Sequence, residues 1–156
     1  MNDETLKIIA ERDLGSAACD DYVAWAVACL EANMDSKNIR ILASLRKPLY
    51  SSEVDEYFQR ALAELGWTMP ERRECLLQYA RRQAERIVSR ELPSGEGCWK
   101  IYRIAAALEY PQELMPWIYL DLALAGAEEL QDGNCENEII SEAERLLKTL
   151  PAMREK

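Results

Sequence analysis

The chain has 156 residues, of which 49% are hydrophobic and 30% are charged, and its formal net charge is −9. A chain of this length buries about two-thirds of its unfolded surface, so the sequence predicts one domain with its own hydrophobic core over residues 1–156. The excess of acidic groups argues against a nucleic-acid-binding protein, because binding to phosphates requires a cationic face, and it favours a basic protein partner.

Histidine is absent from the sequence. This absence excludes catalytic Ser–His–Asp and Cys–His pairs, histidine general bases and histidine-ligated zinc. No other set of residues specifies a reaction. We therefore expect a non-catalytic protein with no cofactor and no metal site.

The five cysteines are widely spaced and form no CxxC pair. The beginning of the chain contains acids and lacks the apolar core of a signal peptide. The longest apolar run, residues 22–30, is too short to span a bilayer, which requires about 20 residues. We therefore expect free thiols, no membrane association and a cytoplasmic location. Cys29 and Cys75 lie on apolar helical faces and are expected to be buried.

Apolar residues recur at helical spacing along nearly the whole chain. In chain order, the pattern predicts a short helix before residue 16 and helices near 16–32, 37–46, 52–65, 70–90, 97–108, 112–130 and 136–150. The clearest stripe, at i, i+3, i+4, i+7 and i+8, consists of Tyr22, Trp25, Ala26, Cys29 and Leu30. No segment alternates with period two, so no sheet is expected. Residues 92–97, with one proline and two glycines, are predicted to form a flexible loop.

The predicted fold class is all-α, with seven or eight helices. Short connections make sequential helices antiparallel neighbours. The segments 16–46, 52–90 and 97–130 each hold two helices, a spacing similar to helix-pair repeats of the HEAT or tetratricopeptide kind. These segments share no residue signature with one another. A compact antiparallel bundle and a short stack of helix pairs are therefore both consistent with the sequence.

Charge is unevenly distributed along the chain. Residues 70–103 have a net charge of +3, whereas residues 104–150 have a net charge of −8. Within the basic segment, a guanidinium stripe at i+4 steps is formed by Arg82, Arg86 and Arg90. Such a stripe suits a phosphate or an acidic partner. The alternatives are a solvated face partly neutralised by Glu85, or docking against the acidic third of the same chain.

Three apolar helical segments each contain one lone charge, and these charges are Arg40, Arg103 and Asp121. An unpaired ion in an apolar interior is strongly destabilising, so such charges either pair with one another or line a cavity. The sequence therefore predicts a buried ion cluster of one aspartate and two arginines. In such a cluster, Asp121→Ala is expected to cost about 3–5 kcal/mol of stability.

Two tryptophans, Trp67 and Trp99, follow glycines near predicted helix ends. Partial exposure is expected there, and an amphipathic ring at such a position suits a partner-binding surface. Together with the guanidinium stripe, they are the candidate partner-binding residues.

Two stretches of the chain resemble sequences of small, uncharacterised all-helical bacterial proteins. They are residues 35–66, which begin DSKNIRILASLRKPLY, and residues 101–125, IYRIAAALEYPQELMPWIYLDLALA. Together they cover somewhat under half of the chain. The resemblance implies a helical bacterial cytosolic protein, and it implies no activity and no site residues.

The function favoured by the sequence is a non-catalytic helical module for protein–protein interaction. Its size and charge are similar to those of small acidic immunity and antitoxin proteins, which neutralise a basic toxin. The alternative is a small-molecule-binding protein, or an enzyme without histidine, with a site between helices. That site would lie around Asp121 and include Arg40, Arg103 and Tyr102 or Tyr119. The oligomeric state does not follow from the sequence.

Overall fold

The computed structural model describes residues 2–130 and 135–152, with the side chains of residues 127–130 excepted. These residues form eight α-helices and no strand, which confirms the predicted all-α class. The helices are α1 (Asp3–Asp13), α2 (Cys19–Glu31), α3 (Lys37–Ser44), α4 (Ser51–Glu64), α5 (Arg72–Val88), α6 (Ser94–Ala107), α7 (Met115–Leu130) and α8 (Cys135–Thr149). A 3₁₀ turn, Gln112–Leu114, precedes α7. Within the described ranges, none of these helices has the length and apolar character that crossing a membrane requires.

The chain divides into two compact units, Met1–Glu71 and Arg72–Lys156. The first unit contains α1 to α4 and the second contains α5 to α8. The boundary falls inside the predicted helix pair 52–90, so that pair is divided between the units. The single domain over 1–156, and the choice between a bundle and a stack of helix pairs, stay predictions.

The core of the first unit is built around three aromatic rings. The Phe58 ring of α4 meets the rings of Tyr22 and Trp25 of α2 edge-on, with centroid distances of 5.2 and 4.8 Å. The indole Nε1 of Trp25 donates a hydrogen bond to Thr5 Oγ1 of α1 at 2.8 Å. This bond satisfies the only polar atom of the indole ring and holds α1 against α2.

A side chain at the end of α4 caps the beginning of α3. The backbone N–H of Asn38 donates to Glu64 Oε2 at 2.9 Å, and Asn38 Nδ2 donates to Glu64 Oε1 at 2.6 Å. Hydrogen bonds from Ser36 and Asn38 lower the pKa of the Glu64 carboxyl. The carboxylate therefore satisfies a backbone donor that the first turn of α3 leaves without a helical partner.

In the second unit, α5 packs against α6 and α8, and α6 packs against α7. The largest fully buried side chains of this unit are Leu76, Ile87, Ile101, Ile104, Leu114, Trp117, Ile139 and Leu146. The contact between α7 and α8 is less extensive than the contacts that α7 makes with α6 and that α8 makes with α5.

The predicted loop at residues 92–97 is wrong from Ser94 onward, because α6 begins there and Gly97 is buried within it. A Cβ atom at Gly97 would lie 2.5 Å from both Cδ1 and Cγ1 of Ile87 on α5. It would also lie 3.1 Å from Cδ2 of Leu92. The glycine is thus needed for the close approach of α5 and α6, and not for flexibility.

We expect Gly97→Ala to lower the free energy of unfolding by about 1–3 kcal/mol, as overpacked core positions do. Ile87 is buried and β-branched, so it has few ways to move aside for the new methyl group. The higher helix propensity of alanine offsets only part of this cost. Urea denaturation followed by far-UV circular dichroism measures the change.

The matched control is Gly95→Ala in the same helical turn. No atom lies within 4 Å of a Cβ built at Gly95. We therefore expect this variant to be as stable as the wild type or slightly more stable. An equal change in the free energy of unfolding for Gly97→Ala and Gly95→Ala would contradict the role of Gly97 in helix packing.

Candidate functional site

The outward face of α7 is an exposed apolar surface. Within residues 115–127 the only charged residue is Asp121. A helix that is apolar on all sides is usually buried on all sides. Here Trp117 is fully buried, but the side chains of Tyr119 and Leu122 are 65% and 64% exposed. Exposed apolar side chains clustered on one helix are typical of interaction sites.

A shallow groove of about 760 Å³, wide open to solvent, lies beside this face, between α7 and α8. The apolar wall of the groove is formed by α7 and consists of Met115, Pro116, Tyr119, Leu120 and Ala123. The polar wall is formed by α8 and consists of Asn137, Glu138, Ser141, Glu142 and Arg145. On either side of the groove, α7 contacts α6 and α8 contacts α5 more extensively than α7 and α8 contact each other.

The polar wall contains an ion pair and an excess of acid. Arg145 Nε donates to Glu142 Oε2 at 2.8 Å, and the second guanidinium nitrogen donates to Oε1. This hydrogen bonding raises the pKa of the Arg145 guanidinium. By formal charge, the polar wall has two carboxylates, Glu138 and Glu142, and one guanidinium, Arg145.

Asp121 lies one turn after the buried Trp117 and is half-buried. Desolvation by burial raises the pKa of its carboxyl. In the described part of the chain, Asp121 makes no hydrogen bond and no ion pair. It is also absent from the two walls of the groove, although its neighbour Tyr119 is part of the apolar wall.

The Cys98 thiol on α6 is buried and interacts electrostatically with the Asp121 carboxylate. Burial, with a smaller contribution from the negative charge of Asp121, raises the pKa of Cys98 on α6 to about 12. A thiol with this pKa stays protonated at neutral pH and is a poor nucleophile. Asp121 and Cys98 therefore do not form a nucleophilic pair.

The structure does not form the predicted buried ion cluster. The side chain of Arg40 is 68% exposed and forms an ion pair with Asp35. Arg103 is half-buried, with its guanidinium carbon 5.0 Å from the centre of the Trp99 ring. Within the described ranges, no hydrogen bond or ion pair joins Arg103 to Asp121. Successive residues of a helix project about 100° apart, so a charge beside core residues in sequence need not share their face.

Asp121 has no ion-pair partner among the described residues, and this reverses the expected effect of removing its charge. We expect Asp121→Asn to raise the free energy of unfolding at neutral pH, whereas the ion cluster predicted that loss of the carboxylate would lower it. The pKa of Asp121 is raised in the folded state, so the carboxyl contributes stability below its unfolded pKa. That contribution is lost as the pH rises through the folded pKa.

Thermal unfolding of the wild type and Asp121→Asn at acid and neutral pH tests this sign. The stabilisation is expected at neutral pH and should disappear in acid. Glu144→Gln, at an exposed position of α8, controls for the loss of one negative charge. A lower melting temperature for Asp121→Asn at neutral pH would mean that the carboxylate has a stabilising partner.

The two tryptophans that the sequence singled out differ in exposure. Trp67 is half-buried just after α4, and its backbone N–H donates to the Leu62 carbonyl at 2.9 Å. Trp99 is 48% exposed on α6, where it stacks with Arg103. Neither lines the groove. Their role in partner binding stays a prediction.

The guanidinium stripe of α5 is exposed, as Arg82, Arg86 and Arg90 all face solvent. Acidic groups of the same unit lie against two of these side chains. Arg82 pairs with Glu85 at 2.9 Å, and Arg90 approaches Glu136 of α8 at 3.4 Å. These contacts favour neutralisation within the chain, and binding of an anionic partner by the stripe stays a prediction.

The cysteines of the described residues are free thiols. The five cysteines form no disulfide, and Cys29 and Cys75 are buried as predicted. Burial raises the pKa of the Cys29 thiol. No group of three or more cysteine, aspartate or glutamate side chains among the described residues is arranged to hold a metal ion.

Comparison with protein-family models, with curated proteins and with solved structures finds no match to this chain. The geometry of α7 and α8 is therefore the basis for assigning a function.

Proposed function

We propose that this chain is a non-catalytic protein–protein interaction module of the cytoplasm, and that it binds a basic protein through α7 and the groove beside it. One observation carries the proposal: Tyr119 and Leu122 are about two-thirds exposed on a helix that has one charge within residues 115–127. Tyrosine is enriched among the residues that contribute most to binding at protein interfaces.

The charge of the chain supports a basic partner. Residues 104–150, which include both walls of the groove, have a net charge of −8. Such a charge attracts a basic protein and increases its association rate. A role like that of acidic immunity and antitoxin proteins is consistent with this proposal. The free cysteines are consistent with the reducing cytoplasm.

Affinity capture from the native host, followed by binding measurements on the purified partner, tests the proposal. We expect the double variant Tyr119→Ser/Leu122→Ser to weaken partner binding by tenfold or more, since it removes the apolar contacts of α7. The helix surface is solvent-exposed at both positions, so folding should be retained, and circular dichroism checks this.

The matched control is the double variant Tyr50→Ser/Val27→Ser in the first unit. Tyr50 is 62% exposed and Val27 is also exposed, but neither lies on α7. The control should bind the partner as the wild type does. Equal capture by both double variants would contradict the proposal.

A second candidate function is a small-molecule site, or an enzyme without histidine, at Asp121. The observation in its favour is a half-buried carboxyl with a raised pKa and no ion pair within the described residues. Its test is Asp121→Asn, which should abolish ligand binding or turnover there. Protein binding through α7 should survive the same substitution.

A further inference from the structure

The two walls of the groove have the same spacing along their helices. The apolar wall uses positions 115, 116, 119, 120 and 123, and the polar wall uses positions 137, 138, 141, 142 and 145. Each set follows i, i+1, i+4, i+5 and i+8, which is one side of a helix over about 12 Å. The groove is therefore a trough that runs along α7 and α8, and an elongated occupant fits it best.

Both walls belong to helices, and this determines the backbone conformation of the occupant. Beyond their first turns, the backbone N–H and C=O groups of α7 and α8 are bonded within their own helices, so neither wall presents the row of free backbone groups of a strand edge. An extended peptide would find no strand edge to pair with and would leave its own backbone groups without partners. A helical occupant satisfies its backbone internally and offers only side chains to the walls.

The chemistry of the walls determines the faces of the occupant. The apolar wall needs a stripe of apolar side chains, as on one face of an amphipathic helix. The polar wall presents the Asn137 amide and the Ser141 hydroxyl, and its formal charges are two carboxylates, Glu138 and Glu142, against the guanidinium of Arg145. Lysine or arginine side chains beside the apolar stripe would match this wall, and the net charge of −8 on residues 104–150 would attract them.

We infer that the partner inserts a basic amphipathic helix lengthwise into the groove between α7 and α8. This inference rests on the proposed function and names the binding element of the partner. A second copy of the chain is a poor occupant, because each copy has a net charge of −9 and two copies repel each other.

A synthetic peptide of lysine and leucine tests the inference, with leucines at i, i+3, i+4 and i+7. Two peptides serve as comparisons: one has glutamate in place of lysine, and the other has lysine and leucine in strict alternation. In fluorescence anisotropy at fixed salt, we expect the helical basic peptide to bind at least tenfold more tightly than either comparison peptide. Equal binding of the acidic and basic peptides would overturn the inference.

Variants of the two walls show whether the peptide lies in the groove. Ser141→Lys adds a cation to the polar wall and should weaken binding of the basic peptide by about fivefold, as expected for like charges near a surface. Ser141→Gln, without the charge, should leave the affinity unchanged. Tyr119→Ser should weaken binding by about tenfold, and Tyr50→Ser should leave it unchanged. Unchanged affinity in Ser141→Lys, or equal losses in Tyr119→Ser and Tyr50→Ser, would overturn the inference.

Failure of this inference can be told apart from failure of the proposed function. If the native partner depends on Tyr119 but cross-links to α8 through an acidic or extended segment, the inference is wrong and the proposed function stands. If no partner depends on Tyr119, the proposed function is wrong and the inference is wrong with it. A dimer in analytical ultracentrifugation that Tyr119→Ser dissociates would make a second copy the occupant, which also overturns the inference.

Discussion

Phe58→Ala is expected to lower the free energy of unfolding by about 3–5 kcal/mol, as other aromatic-to-alanine changes in protein cores do. Phe58 is fully buried, and its ring meets both Tyr22 and Trp25 edge-on. Each aromatic pair contributes about 0.5–1.5 kcal/mol beyond the burial of apolar area. Three helices of the first unit meet at or beside this cluster, so the remaining side chains have little freedom to close the cavity.

Tyr57→Ala is the matched control, because Tyr57 is adjacent in α4 and only half-buried. Urea denaturation followed by far-UV circular dichroism measures both variants. A cost for Phe58→Ala as small as that for Tyr57→Ala would contradict the aromatic core of the first unit.

Trp117→Ala is expected to cost about 3–5 kcal/mol, because Trp117 fills the space beneath α7 and is fully buried. Trp117→Phe should cost much less, about 1 kcal/mol or less. The reason is that the buried indole Nε1 of Trp117 has no hydrogen-bond partner in the described structure. Phenylalanine removes this unsatisfied donor and so offsets part of the lost apolar contact.

Trp25→Phe provides the comparison for Trp117→Phe. Both substitutions remove the same volume from a buried position, but Trp25 Nε1 donates to Thr5 Oγ1. We therefore expect Trp25→Phe to be more destabilising than Trp117→Phe by about 1–3 kcal/mol. Chemical denaturation measures the free energy of unfolding of both variants. Equal decreases for Trp25→Phe and Trp117→Phe would contradict the unsatisfied donor at Trp117.

The helices of this chain could be predicted because their apolar stripes are strongly periodic. Of the five residues in the clearest stripe, four are buried and Leu30 is half-buried; the buried ones are Tyr22, Trp25, Ala26 and Cys29. The ends of the helices were predicted less well, because they depend on capping contacts. The spacing of apolar residues gives no information about these contacts. The cap of α3 by Glu64, which lies 26 residues further along the chain, is an example.

The structural role of a glycine cannot be predicted from local composition alone. Gly95 and Gly97 are both in the segment that predicted a loop, yet α6 contains both. The close approach to Ile87 is a tertiary contact between α5 and α6. No local pattern distinguishes such a glycine from one in a flexible turn.

The candidate site was only partly predictable. From the sequence, Asp121 and Tyr119 were candidate site residues, but the apolar residues around them were expected to lie in the core. Residues 115–127 lack the amphipathic period that distinguishes a buried helix face from an exposed one. The sequence therefore does not show which side of α7 faces solvent. Which residues of α7 are exposed beside the groove depends on how α7 packs on α6. This tertiary contact leaves Tyr119 and Leu122 exposed.

The most direct test of the basic-helix groove is a nuclear magnetic resonance titration of the labelled protein with the helical lysine–leucine peptide. We predict that the amide shifts concentrate in residues 115–123 of α7 and 137–145 of α8, and that Tyr119→Ser strongly reduces them at the same sub-saturating peptide concentration. Shifts confined to other helices, or shifts that persist unchanged in Tyr119→Ser, would contradict the account.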